Sequence, residues 1–111
     1  MKIIFILLIF IFSTIASAKN LNFTKIVNLE SPWGSTFIDD NNLLITEKSG
    51  TIKLINIKNK SISVINHNLN FLEHGQGGLL DVLFNENFVY ISYSENRGNG
   101  KTSTSIAKSK F

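Results

Sequence analysis

The chain has 111 residues, eleven Lys or Arg against eight Asp or Glu, a net charge of +3 and no cysteine. Without cysteine there is no disulfide framework, so stability has to come from packing and backbone pairing. The small excess of positive charge is scattered, with no dense lysine run and no interleaved aromatics, which argues against a nucleic-acid partner.

Residues 1–18 read as a secretory signal peptide. Lys2 supplies the positive start, Ile3 to Phe12 is an unbroken apolar run, and Ala16-Ser17-Ala18 gives the small residues of a cleavage site. The run falls short of the roughly 20 apolar residues that a membrane-spanning helix needs. No cysteine stands at the boundary to carry a lipid. The expectation is therefore a periplasmic or secreted protein without a stable membrane anchor after cleavage. Asn22-Phe23-Thr24 and Asn59-Lys60-Ser61 match the glycosylation acceptor pattern, which matters only in a eukaryotic secretory pathway.

From residue 19 to 111 no long window keeps an apolar stripe at helical spacing. Short β-rich runs alternate with turn clusters, which predicts an all-β fold. Phe23 to Leu29 is the first predicted strand, ended by Ser31-Pro32-Trp33-Gly34 because proline removes a ladder donor. Ser35 to Ile38 is a short second run. Asp39-Asp40-Asn41-Asn42 is a turn, since short polar side chains bond their own backbone. Leu43 to Glu47, Thr51 to Leu54 and Ile62 to Ile65 follow, separated by Lys48-Ser49-Gly50 and Lys58-Asn59-Lys60. A polar connection, Asn66 to Glu73, leads to a glycine-rich stretch. Leu79 to Phe84, Phe88 to Tyr93 and Thr102 to Lys108 are the last three predicted strands, with Asn96 to Gly100 a loop by composition.

The segment Ile38 to Glu47 lies over Phe84 to Tyr93 at an offset of 46 residues. Each copy has an apolar residue, a polar turn and an apolar strand, and each is followed by a further turn and strand. Recurrence every 40–50 residues is the mark of propeller blades, with a plain antiparallel meander as the alternative. The chain supplies one such unit and most of a second, far fewer than a closed ring needs. The expectation is an incomplete β-propeller over 19–111, the N-terminal part of a longer protein.

Three glycines cluster in His74-Gly75-Gln76-Gly77-Gly78-Leu79-Leu80-Asp81-Val82. Such a run holds backbone paths that other residues resist. Gln76, between the first two glycines, offers amide donors and an acceptor that suit a hydroxyl-rich ligand, or it simply stands in solvent. Asp81, a carboxylate inside an apolar strand, either ties down the glycine turn or reaches a ligand. His67 and His74 lack an orienting partner in sequence and read as loop residues. Glu47 and Arg97 read as solvated turn residues, and Trp33 as a packing residue. Two histidines without cysteine make a poor structural metal site.

Taken together, Ser31-Pro32-Trp33-Gly34, Leu43 to Glu47, Gly75 to Val82 and Val89 to Ser94, in this order and spacing, resemble the N-terminal part of the PQQ-dependent soluble aldose sugar dehydrogenases, the glucose/sorbosone dehydrogenase family. The resemblance covers about residues 23 to 111, with Gly75 to Val82 its most specific run. It implies a six-bladed β-propeller exported to the bacterial periplasm, with pyrroloquinoline quinone (PQQ) and calcium as cofactors. It also implies oxidation of the anomeric carbon of an aldose by hydride transfer to the quinone, with a histidine as general base. The glutamine beside the sugar in the family matches Gln76. The family's base, cofactor contacts and calcium ligands match nothing up to residue 111, so the catalytic part is expected to be missing from this chain. A non-catalytic exported propeller or meander that binds a carbohydrate or a protein is the alternative function.

Overall fold

The computed structural model describes residues 16–111. The expected signal peptide falls largely outside the described residues. Among the described residues no helix is long and apolar enough to cross a membrane.

Seven antiparallel strands form two sheets. β1 (Pro32–Phe37), β2 (Asn42–Glu47), β3 (Ile52–Asn56) and β4 (Ile62–Ile65) make the first, in that order. β5 (Leu79–Asn85), β6 (Phe88–Asn96) and β7 (Thr102–Lys110) make the second. Six strands therefore stand where the composition predicts them, and β1 includes Ser35 to Phe37 of the expected Ser35–Ile38 run but starts earlier, at Pro32. The turns follow from local chemistry. Asp39 Oδ1 accepts from the amides of Asn41 and Asn42, both at 2.8 Å. Glu86 and Asn87, both with positive φ (48° and 65°), close the two-residue β5–β6 hairpin as a type I′ turn, whose twist matches the strands it joins.

The predicted strand Phe23–Leu29 does not form; residues 16–29 carry no regular structure and Phe23 is 89% exposed. A β-rich run becomes a strand only where a ladder partner exists, and β1 pairs with β2 alone. Pro32 opens β1 rather than ending an earlier strand. The first residue of an edge strand needs no donor, so proline is tolerated there.

The sheets pack face to face on Leu44 and Ile52 of the first and Leu79, Val82, Val89, Ile91 and Tyr93 of the second. Burying a side chain of this size contributes about 1.5–3 kcal/mol, so this layer holds the two sheets together. β1 and β5 lie side by side and run the same way: Gly34 faces Asp81 and Val82, and further along Thr36 Oγ1 accepts from the Phe84 amide at 3.2 Å. A side chain at Gly34 would place its Cβ 2.7 Å from the Asp81 Cα, so only glycine lets the strands come this close.

The internal repeat extends to single atoms. In β1 the ladder shifts between Pro32 and Gly34, and in β5 between Leu79 and Val82. Each shift sets two residues against one on the neighbouring strand, a β-bulge. A hydroxyl fills each bulge. Thr46 Oγ1 accepts from the Gly34 amide at 3.1 Å, and Ser92 Oγ accepts from the Asp81 amide at 3.1 Å. Thr46 also donates across the sheet interface to the Leu80 carbonyl.

Candidate functional site

The glycine stretch is a hairpin tip gripped by both sheets. The Gly77 amide donates to the His74 carbonyl at 2.8 Å and the His74 amide to the Gly77 carbonyl at 3.3 Å. Gly75 and Gln76 are thus the two central residues. Gly75 has φ 55° while Gln76 has no positive φ, the sign pattern of a type II′ turn with glycine first. Gln76 is exposed at the tip.

The next two glycines fix where the tip sits. A Cβ on Gly77 would lie 2.7 Å from the Ser94 hydroxyl of β6. At Gly78, with φ 154°, a Cβ would lie 2.0 Å from the Lys48 carbonyl in the β2–β3 turn. Backbone bonds clamp the same place: the Leu79 amide donates to the Lys48 carbonyl at 3.3 Å and the Ser94 amide to the Gly78 carbonyl at 2.8 Å. The preceding connection is tied to β6 by the Leu72 amide donating to the Ser94 carbonyl at 2.9 Å. An exposed amide is thereby carried on a backbone held from two sides.

The β2–β3 turn rests in turn on Glu47, which composition alone assigned to solvent. It is 1% exposed and pairs with Lys53 Nζ at 3.0 Å while accepting from the Glu30 amide at 3.0 Å. Burial by itself raises its pKa. The hydrogen bond and charge of Lys53, with the Glu30 and Ser31 amides, outweigh that and hold the carboxyl below its ordinary value. The Lys48 amide donates to the Ser31 carbonyl at 2.9 Å, fixing the same turn.

Asp81 does not tie down the glycine turn. It is exposed, and its Oδ1 accepts from the Val82 amide of its own strand at 2.9 Å, inside the bulge beside Gly34. Trp33 is 49% exposed rather than packed in the core. It occupies the bulge of β1, where the extra residue is pushed out of the ladder. His67 is a packing residue: its Nδ1 accepts from the Leu69 amide at 3.2 Å, which leaves Nε2–H to donate to the Gly50 carbonyl at 2.6 Å. His74 is exposed and takes part through its backbone. Arg97 is an exposed residue paired with Glu95 at 2.9 Å.

Sequence reasoning missed the Glu47–Lys53 pair and the hydroxyls of Thr46 and Ser92. The second could have been found, because Thr46 lies over Ser92 when the two repeats are aligned. A cleft of about 240 Å³ opens between the sheets, lined by Leu44, Ile65, His67, Val89, Ala107 and Phe111 among others; Gln76 is not part of it.

The tip can donate and accept hydrogen bonds through the Gln76 amide. Among the described residues no group of three or more His, Cys, Asp or Glu gathers to hold a metal.

Comparison with known proteins places this geometry. A sequence profile of the family described as Glucose / Sorbosone dehydrogenase matches residues 29–111. The chain is 32% identical over 84 residues to the aldose sugar dehydrogenase YliI of Escherichia coli K12, covering 70% of this chain and 23% of that protein. A solved glucose dehydrogenase superposes with a TM-score of 0.68 at 34% identity, covering 74% of this chain and 27% of its own. The apo-form of the soluble aldose sugar dehydrogenase of E. coli gives 0.66 at 31%, covering 74% and 25%. This chain therefore spans about a quarter of the length of these relatives, whose fold is a β-propeller, and its two sheets stand as consecutive blades. The chain belongs to the glucose/sorbosone dehydrogenase family.

Proposed function

We propose that residues 19–111 form the first two sectors of an exported, PQQ-dependent aldose sugar dehydrogenase with six blades, and that Gln76 hydrogen-bonds a hydroxyl of the sugar. The observation that carries this reading is the clamped hairpin tip. Gly77 and Gly78 are pressed against Ser94 and Lys48, and the only side chain between Gly75 and Gly77 is an exposed amide. A sugar presents donors and acceptors together, and an amide on a fixed backbone matches both at small entropic cost.

In this reading the enzyme removes a hydride from the anomeric carbon, and PQQ supplies the acceptor. PQQ, calcium and the general base are held by residues outside 16–111. The chain's own part is to bind and orient. Support comes from the family match over 29–111 and from the aldose sugar dehydrogenase of E. coli as a relative. Export to the periplasm rests on the composition of residues 1–18.

A chimera tests the proposal: residues 29–111 replace the matching segment of the E. coli aldose sugar dehydrogenase, and the product is reconstituted with PQQ and calcium. Dye-linked oxidation of aldoses that depends on added PQQ is expected. A folded chimera without turnover would overturn the assignment. Residues 19–111 alone, given PQQ and calcium, are expected to show no aldose oxidation; turnover by this piece would contradict the division of labour.

A further inference from the structure

We propose that Lys48 is a second residue that meets the sugar, and that its ammonium pairs with an anionic group, a carboxylate or a phosphate, carried by the aldose. The inference rests on the sugar contact assigned to Gln76 above and narrows the substrate class of that same site. Two cations among the described residues are half-buried, Lys48 and Lys53. Lys53 has its counter-ion in Glu47 at 3.0 Å, and the other ion pair among the described residues joins Arg97 to Glu95. Lys48 is therefore the half-buried cation whose carboxylate partner is not among these residues.

The stem of Lys48 lies along the glycine stretch. A Cβ on Gly78 would come within 2.9 Å of Lys48 Cγ, so the side chain missing at Gly78 makes the room that the stem occupies. The backbone of Lys48 is pinned on both sides. Its amide donates to the Ser31 carbonyl at 2.9 Å, and its carbonyl accepts from the Leu79 amide at 3.3 Å. What stays free is the far end of the stem. A lysine stem can line a surface while its head remains in water. Here the surface it lines is the base of the hairpin tip, so the ammonium stands within a side chain's length of the Gln76 amide.

The two groups divide the recognition between them. The Gln76 amide reads hydroxyls as donor and acceptor together, without preference for charge. The ammonium is a compact point charge with three donors and no acceptor, and it suits a carboxylate or phosphate oxygen. Glu47, next to it in the chain, is turned to Lys53 and to the Glu30 amide instead. Glu73, on the approach to the tip, is exposed, so solvent screens its charge. The counter-charge that Lys48 lacks is thus supplied by the ligand.

The chimera is assayed with glucose, glucuronate and glucose 6-phosphate, alongside its Lys48→Met variant, which keeps a stem over Gly78 and removes the charge. The kcat/KM for an acidic sugar relative to that for glucose is expected to fall roughly tenfold in Lys48→Met, the effect of losing a hydrogen bond to a charged group. The acidic sugar with the larger fall identifies the group as carboxylate or phosphate. Lys48→Arg should keep the ratio. Added salt should lower it in the parent and leave Lys48→Met unchanged. A stem that only packs predicts the same change for all three sugars. That result, with Gln76→Ala still lowering turnover, would overturn this inference and leave the role of Gln76 standing. Turnover of all three sugars unaffected by Gln76→Ala would overturn the underlying reading and this inference with it.

Discussion

Gly75 and Gly78 flank the same hairpin tip but answer to different constraints. A Cβ on Gly75 meets nothing within 4 Å. Gly75→Ala should therefore cost only the left-handed backbone penalty, about 1–2 kcal/mol. Gly78→Ala pushes a methyl group into the Lys48 carbonyl, and the backbone of two sheets has to move. Its expected cost is about 3 kcal/mol or more, at the upper end of overpacking. Urea unfolding of the two variants checks the order. Glu47 gives a second prediction. Its native pKa lies below the ordinary value of 4.5, so near that pH the unfolded chain binds more protons than the native one. The stabilisation is full above 4.5 and is lost as pH falls through the native pKa. Urea midpoints measured downward from about pH 6 should fall less steeply in Glu47→Gln than in the parent. Lys53→Ala at neutral pH should cost about 3 kcal/mol, since it leaves a buried carboxylate unpaired. None of this was legible in the sequence, where Glu47 stands next to a Lys-Ser-Gly turn and reads as solvent-facing. Its burial depends on Glu30, seventeen residues away, folding back over it.

The elements themselves were largely legible. β2 to β7 follow from β-rich runs bounded by turn chemistry that acts within a few residues, such as Asp39 bonding the amides of Asn41 and Asn42. Phe23–Leu29 stays irregular because pairing is not a local property: its composition suits a strand, but among the described residues no strand lies beside it. Pro32 was misplaced for a related reason, since its effect depends on whether β1 is an edge. The bulges escaped notice entirely, because a ladder shift leaves no mark on composition. Thr46 links both bulge and interface, accepting from Gly34 and donating to Leu80. Thr46→Val keeps the shape and strands both groups, with an expected loss of about 1–3 kcal/mol. Thr46→Ser should recover most of it. Thermal or urea unfolding of the pair distinguishes a role for the hydroxyl from one for the methyl group.

At the scale of the whole molecule, the 46-residue repeat and the glycine stretch carried the fold and the family. The repeat predicted two similar sheets, and the two sheets pack with their first strands side by side, as blades around a common axis do. Gln76 stands out in the sequence because glycines on either side leave one polar side chain at the tip. Why that tip is rigid could not be read there. Lys48 and Ser94, which hold it, come from different sheets and lie 46 residues apart. In the proposed function Gln76 meets a sugar from this fixed position. The most direct measurement is kcat/KM for aldose oxidation by the chimera and by its Gln76→Ala variant, with PQQ affinity determined alongside. Loss of a hydrogen bond made to the reacting sugar predicts a drop of roughly 10- to 100-fold with PQQ binding unchanged; an unchanged kcat/KM would contradict the account.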